Sequence, residues 1–436
     1  MEKILTDPAA APLIARFGRE PVKRAARSAI TEDALSDTLR ILSRSRERLE
    51  TTFAPEAPRV VNATGILIHT NLGRAPLSEA AAAAIAGAAR GYHALEYDLE
   101  SGRRGSRGPR LRAALAGFLG VEDALLVNNN AAAVLLVLAA AATGREVLVS
   151  RGELVAIGGS FKIPEILEAS GARLREVGTT NRTRIEDYEK EFRKGVAAVL
   201  TVHPSNYEIR GYAKRPTFAE IAAFAKKRRI PWIHDLGSGN LRDLSPYGVA
   251  GEERAADALG AGAALVCFSG DKLFGGPQAG VLAGRRRLVA ACRSHPLARA
   301  VRVDKLALAG FFATLASWIS GRPEELPIYA LAAAPAEDLR RRAERLAGSV
   351  PPELSGEVIS TRGLFGGGTT PERTFPSAAL AVRHPEISAG ELAARLRAGD
   401  PPIVGRIEGD RLILDLRGVF PEEDDVLAAA LSSLAG

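Results

Sequence analysis

Cysteine is almost missing from this chain: its 436 residues hold two, Cys267 and Cys292, with no CxxC and no metal-ligand spacing. That excludes a disulfide framework, gives no reason to expect a metal, and suits a reducing compartment. Long apolar runs are missing as well. The longest, Ala131 to Ala142, is alanine-rich and falls short of the roughly 20 residues that cross a bilayer. Met1 to Asp7 lacks a basic stretch followed by an apolar one, so no secretory leader and no membrane association are expected. The expected location is the cytoplasm. No repeat occurs at solenoid periods.

What is present is the composition of a folded α/β protein, 46% hydrophobic and 25% charged, with abundant Gly and Ala. Lys and Arg number 58 against 51 Asp and Glu, a net charge of +7. A modest excess of this kind only weakly favours a polyanionic partner. Its placement says more. Arg16, Arg19, Lys23, Arg24 and Arg27 fall within one short stretch against Glu20 alone, which reads equally as a solvated helix face or as a nucleic-acid patch.

Three domains are expected. Residues 1–57 form a small helical unit: Leu13, Ile14 and Phe17 open an amphipathic pattern that runs on through Val22 and Ala26. Thr31 then reads as an N-cap ahead of Leu35, Leu39, Leu42 and Leu49 at helical spacing. Thr52 to Pro58 reads as a linker. In residues 58–320, apolar runs at 124–127, 146–149, 174–177, 197–202, 231–234 and 264–268 alternate with helical periods at 110–119, 218–227 and after Ser160. Strands buried on both faces and joined by helices imply a mostly parallel sheet flanked by helices. Residues 321–436 read as a smaller α+β domain, with a charged helix at 337–346, strands at 379–382, 403–407 and 411–415, and a tight hairpin at Glu408-Gly409-Asp410.

Three segments carry chemistry. In Phe268-Ser269-Gly270-Asp271-Lys272-Leu273-Phe274-Gly275-Gly276-Pro277 an apolar strand ends in Ser-Gly and sets one lysine before a Gly-Gly-Pro turn. Covalent chemistry through a lysine needs a desolvated amine with room beside it for a planar group. Ser269 can donate to a phosphate. Upstream, Asp235 ends the run Ile233-His234-Asp235, at the kind of strand end where open α/β sheets bind ligands. A carboxylate there can pair with a protonated pyridine nitrogen. Third, Asn128, Asn129 and Asn130 lead from a strand into an Ala-rich helix, a start suited to a phosphate. The bland readings are a surface turn, an acid capping its own turn, and an ordinary N-cap. In this order the three match the logic of fold-type I pyridoxal-phosphate enzymes.

The resemblance is narrower than that class. Val61 to Leu77, Gly105 to Gly108, Ser150 to Glu153, Gly158 to Phe161, His203 to Tyr207 and the lysine segment together resemble the bacterial selenocysteine synthase family over nearly the whole chain. The resemblance implies a fold-type I α/β transferase whose pyridoxal 5'-phosphate is carried by Lys272. It implies L-seryl-tRNA(Sec) selenium transferase activity: loss of the seryl hydroxyl leaves a cofactor-bound dehydroalanyl intermediate, to which selenium from selenophosphate adds. Arg74, Arg299 and Arg302, with Arg107 nearby, are implied as the donor's anion pocket. Thr179, Thr180 and Tyr207 are implied as pocket lining, and His203 as facing the cofactor ring or standing as a core histidine. The N-terminal unit resembles the family's tRNA-binding domain, and the assembly implied is a homodecamer built from dimers. Residues 366–372 and Arg417-Gly418-Val419 depart from the family's small-domain pattern.

Two rivals stand beside this reading. A fold-type I lyase or aminotransferase acting on a free small amino acid needs an arginine for the α-carboxylate, for which Arg406 or Arg417 is available. A non-catalytic RNA-binding or regulatory protein sits poorly with intact Asp235 and Lys272, and no winged-helix DNA reader is present.

Overall fold

The computed structural model describes residues 1–32, 37–157, 161–209, 211–370 and 373–434. Leu35, Gly158 to Ser160, Pro371 and Glu372 lie outside the described residues. The chain divides into two units, Met1–Val60 with Asp400–Pro402, and the remainder.

In the first unit, α1 (Ala11–Phe17), α2 (Arg19–Glu32) and α3 (Thr38–Phe53) pack around Leu13, Val22, Ala26, Ala29, Ile41, Leu42 and Leu49. The continuous amphipathic pattern is broken at Gly18, which takes φ 87°. Thr31 is not the N-cap expected of it. It lies inside α2 and donates back to Arg27 O at 2.9 Å, while Asp37 caps α3 by accepting from Arg40 N at 2.8 Å. A carboxylate is the stronger acceptor for a helix's free N–H groups. Leu39 is exposed, so only part of the heptad-like leucine pattern meets this core.

The second unit is built on a seven-stranded sheet: β1 (Asp123–Val127), β2 (Glu146–Ser150), β3 (Arg173–Val177), β4 (Val196–Val202), β5 (Trp232–Gly237), β6 (Leu265–Ser269) and β7 (Gly280–Gly284). The order is β1-β7-β6-β5-β4-β2-β3. All pairs are parallel except those of β7, which runs against both β6 and β1. Val266 and Phe268 face one core while Leu265 and Cys267 face the other, the two-sided burial that makes these strands read as unbroken apolar runs. The six expected strands are present within a residue or two at their starts, though β5 runs three residues beyond the expected end. β7 was not anticipated, because its Gly280-Val281-Leu282-Ala283-Gly284 sequence continues the glycine-rich lysine segment.

A four-stranded antiparallel sheet follows, β8 (Ser355–Leu364), β9 (Thr374–Arg383), β10 (Arg406–Glu408) and β11 (Arg411–Asp415), in the order β8-β9-β11-β10. The expected strand 403–407 is two strands. Ile403–Val404 pairs with Val61–Asn62, and the chain changes sheets at Gly405, where a Cβ would meet Ile413 O at 2.7 Å. The Gly409-Asp410 turn joins Glu408 to Arg411 as expected, with Gly409 at φ 62°. Among the described residues no helix is long and apolar enough to cross a membrane.

Gly280 ties the seven-stranded sheet to the segment after β1. It pairs with Ser269 and Val127, and a Cβ on it would lie 2.0 Å from Asn129 O. Gly280→Ala is therefore expected to cost about 1–3 kcal/mol, read as a lower melting temperature, and to displace Asn129. Gly117→Ala, in a helix position with open space, should leave both intact.

Candidate active site

The C-terminal ends of the parallel strands meet along one edge, and the chemistry-bearing residues gather there. Asp235 lies on β5, Ser269 ends β6, His203 follows β4, and Asn128 to Asn130 follow β1. Lys272 comes one turn after β6, in a segment fixed by backbone bonds from Leu273 N to Ser238 O at 3.0 Å and Gly270 N to Ala279 O at 2.8 Å.

Lys272 is 6% exposed and its Nζ donates to Gly368 O at 2.9 Å. Burial, then the nearby Arg74 charge, lowers its amine to about 8 despite Asp235 and Asp271. A Cβ at Gly368 would stand 2.6 Å from Nζ, so glycine there is what lets the carbonyl reach the amine. Asp235 is 2% exposed and accepts from Asn130 Nδ2 at 2.8 Å. Burial raises it to about 6, against the pull of Asn130 and Lys272. A buried carboxyl in this state is poised to gain from a cationic partner.

The three asparagines divide their work. Asn129 caps the helix Asn130–Ala142 (α4) by accepting from Ala132 N at 2.8 Å. Asn130 is turned to Asp235, with its Oδ1 buried and unpartnered. Asn128 is exposed, its main-chain N–H donating to Val301 O at 2.8 Å. Ser269 is 5% exposed at the strand end.

Asp271 was not singled out from sequence, although it immediately precedes the lysine. Its Oδ2 accepts from Arg74 at 2.8 Å and its Oδ1 is buried without a partner. Arg74 takes φ 67°, a left-handed conformation costly for a side chain of this size and typical of functional sites. Arg107, Arg299 and Arg302 gather elsewhere, in a cavity of about 460 Å³ with Glu96, His295 and Pro296. Arg107 and Arg302 both reach Glu96, at 2.8 and 3.1 Å, while Arg299 is exposed. Arg74 does not line that cavity.

Thr180, Tyr207 and His203 line a second cavity of about 290 Å³, together with Glu153, Arg215, Glu252 and Arg373. Thr179, beside it in sequence, donates to Arg182 O at 2.9 Å. Tyr207 donates to Gly152 O, and burial pushes its phenol up to about 12. His203 is buried, and burial drives it down to about 3.

These donors fit pyridoxal phosphate. A buried amine, an acid on the neighbouring strand with its own orienting amide, and a capped helix start supply a covalent anchor, a partner for a ring nitrogen and an anion site. The unpartnered Asn130 Oδ1 and Asp271 Oδ1 mark unmet polar capacity at the same place. Among the described residues no His, Cys, Asp and Glu group offers a metal site.

Known proteins resemble the chain along its length. Residues 60–420 match the family described as L-seryl-tRNA selenium transferase, and residues 1–32 match selenocysteine synthase N terminal. The L-seryl-tRNA(Sec) selenium transferase of Moorella thermoacetica is 48% identical over 85% of this chain and 80% of that protein. The enzyme so named from Aquifex aeolicus is 41% identical over 94% and 91%, and that from Klebsiella pneumoniae 43% over 96% and 94%. Among solved structures, D-glucosaminate-6-phosphate ammonia-lyase superposes with a TM-score of 0.61 at 20% identity, covering 89% of this chain and 98% of that one. That likeness shows the fold, the fold-type I architecture.

The buried groups set a pH dependence. Burial raises Glu153 and Glu252 from 4.5 to about 8 and lowers His203 and His234 from 6.5 to about 3. The histidines stay neutral in the fold and lose their protons through pH 6.5 when unfolded, so their opposing contribution has levelled off by about pH 7.5 and is outweighed by the acids before that. The two acids hold protons only when folded, so their contribution is lost as pH rises through 8. The cofactor-free chain is expected to melt at falling temperatures from pH 6.5 to 8, and Glu153→Gln should flatten that decline in a melting series across pH.

Proposed function

The chain belongs to the L-seryl-tRNA selenium transferase family, and from that premise we propose that it converts seryl-tRNA(Sec) to selenocysteyl-tRNA(Sec), using pyridoxal 5'-phosphate on Lys272 and selenophosphate as donor. The observation that carries the reading is the desolvated Lys272 amine, held by Gly368 O beside Asp235. When bound, the cofactor supplies an electron sink for charge developing at the seryl α-carbon. Asp235 keeps the ring nitrogen protonated, and Asn130 keeps Asp235 aimed. An amine lowered to about 8 is neutral in a useful fraction near neutral pH, so Lys272 Nζ, once freed, takes the α-proton. Arg299 and Arg302, with Arg107, bind the donor's oxyanion through guanidinium forks. Arg74 acts from the Lys272 side, and association of copies into the expected decamer of dimers unites the two groups. Thr179, Thr180 and Tyr207 line the substrate's approach, and His203 belongs to the cofactor site. The reaction is cytoplasmic.

The rival substrate, a free amino acid, would need Arg406 or Arg417 for its carboxylate. Arg406 donates to Asp415 Oδ2 and Thr64 O, both at 2.8 Å, and to Glu408. Arg417 is 2% exposed and donates to Leu331 O at 2.9 Å, Ala334 O at 2.6 Å and Pro376 O. Both are committed to the fold, which suits an ester substrate with no free carboxylate.

Purified chain with seryl-tRNA(Sec) and selenophosphate is expected to form selenocysteyl-tRNA(Sec). Lys272→Ala should lose activity by on the order of 100-fold or more, and borohydride reduction should label Lys272. Turnover of free serine or cysteine in place of the tRNA would favour the rival and defeat the proposal.

The N-terminal unit is the proposed tRNA-binding domain. Arg16, Arg19 and Lys23 meet Glu50, Glu2 and Glu20, whereas Arg24 and Arg27 are exposed with no carboxylate partner among the described residues. Arg24 lines a groove on this unit with Ser28, Arg48 and Thr52. Replacing Arg24 and Arg27 by Glu should weaken tRNA(Sec) binding and reduce its salt slope by roughly one to two units, measured by titration at several salt concentrations, with cofactor content unchanged.

A further inference from the structure

At the opposite edge of the seven-stranded sheet from Lys272 lies a basic groove. It passes the starts of β2, β4 and β5 and the end of the antiparallel β7, with a volume of about 1060 Å³. Arg145, Lys226, Arg229, Arg285 and Arg287 line it, and no carboxylate does among the described residues.

Four of these cations are not spent on the fold. Arg145 Nη2 donates to Val196 O at 3.0 Å. The others are exposed, with no carboxylate partner among the described residues. Their immediate neighbours in the chain behave differently. Lys227 and Arg228 both pair with Glu189, and the Arg286 guanidinium turns to Glu122 O at 3.4 Å. In both basic runs the engaged side chains lie outside the groove and the free ones line it.

Helix chemistry does not account for the set. Lys226 and Arg229 close the helix Phe218–Arg228, at an end that favours cations. Arg229 nevertheless takes φ 55°, a cap conformation where glycine is usual and a side chain costs stability. Arg285 is the N-cap of the helix Arg286–Ser294 and Arg287 stands in its first turn, which holds no acid. The helix dipole disfavours cations there. Unpaired cations kept against local preference mark a surface held for an anion.

We propose that this groove is a second tRNA contact, binding the sugar–phosphate backbone of a duplex arm without reading its sequence. The proposal rests on the reading that the chain acts on a tRNA. Unpaired guanidinium and ammonium groups match backbone phosphates, which position an RNA and carry no sequence information. The one aromatic ring in the lining, Trp232, is 1% exposed. No unstacked base can lie on it, so a single strand is a poor occupant. A protein surface carries both signs of charge and would find no acid here to match its own cations, whereas a duplex backbone is anionic throughout. Small side chains, Ala141, Ala197, Ala222 and Ala261 among them, leave depth for the strand.

The test uses the full-length, cofactor-loaded protein and tRNA(Sec), titrated at several salt concentrations. Arg285→Gln with Arg287→Gln should weaken binding about tenfold at about 0.1 M salt and flatten the salt slope by roughly one to two units. The melting temperature should hold or rise, because cations leave a helix N-terminus. Arg229→Gly gives an independent reading: glycine suits this conformation, so stability should rise while tRNA affinity falls. Lys227→Gln with Arg286→Gln removes the same charge from engaged positions and should change neither affinity nor slope. Unchanged tRNA affinity in the groove variants overturns the proposal. An equal loss in the Lys227 and Arg286 pair also overturns it, by making the effect one of net charge. A changed assembly mass in the groove variants does so too, by making the groove a contact between copies. Wild-type protein that binds no tRNA(Sec) would defeat the functional reading itself. Binding weakened by Arg24→Glu with Arg27→Glu but not by the groove variants leaves that reading standing and removes only the groove.

Discussion

Everything at the site follows from holding an ionisable amine and an ionisable acid out of water at adjacent strand ends. Lys272 and Asp235 are 6% and 2% exposed, and burying either charge alone would cost several kcal/mol. The fold meets this with short, specific contacts: Gly368 O for the amine, Asn130 for the acid. Both groups are left shifted toward neutrality, a state in which an amine is nucleophilic and a carboxyl gains from a cationic partner. The glycines serve the same constraint. Gly368 and Gly280 are places where main chain must pass closer than a Cβ permits.

The sequence exposed the large sheet well because strands buried on both faces leave little room for any other pattern. Its six parallel strands were readable, as were Lys272, Asp235 and the capped helix after Asn129. β7 was hidden because five residues of small side chains carry no period, and the break at Gly405 because one glycine inside an apolar run looks like a strand. Thr31 misled because a hydroxyl near a helix end reads the same whether it caps the next helix or bonds back into its own. What sequence reading could not supply was pairing: Asp271 with Arg74 and Asn130 with Asp235 join residues as much as 197 apart, and only folding makes them neighbours.

Glu153, Glu252, His203 and His234 form a second population of buried titratable groups near β4 and β5. Such a population lowers stability at one end of the pH range or the other, since each member is held away from its preferred charge. Retaining it makes sense where orientation matters more than stability.

The same reasoning bears on substrate choice. An enzyme of this architecture that handles free amino acids must leave one guanidinium uncommitted for the carboxylate, at an electrostatic cost before substrate arrives. Here Asp415, wholly buried, accepts from Thr361, Ser377, Arg406 and the Arg417 main chain, while the Arg417 guanidinium closes the carbonyl end of the helix Pro327–Ala333. Freeing either arginine would leave a buried carboxylate or several helix carbonyls unpaired. The small domain is thus stabilised by the very groups that would otherwise recognise a free carboxylate.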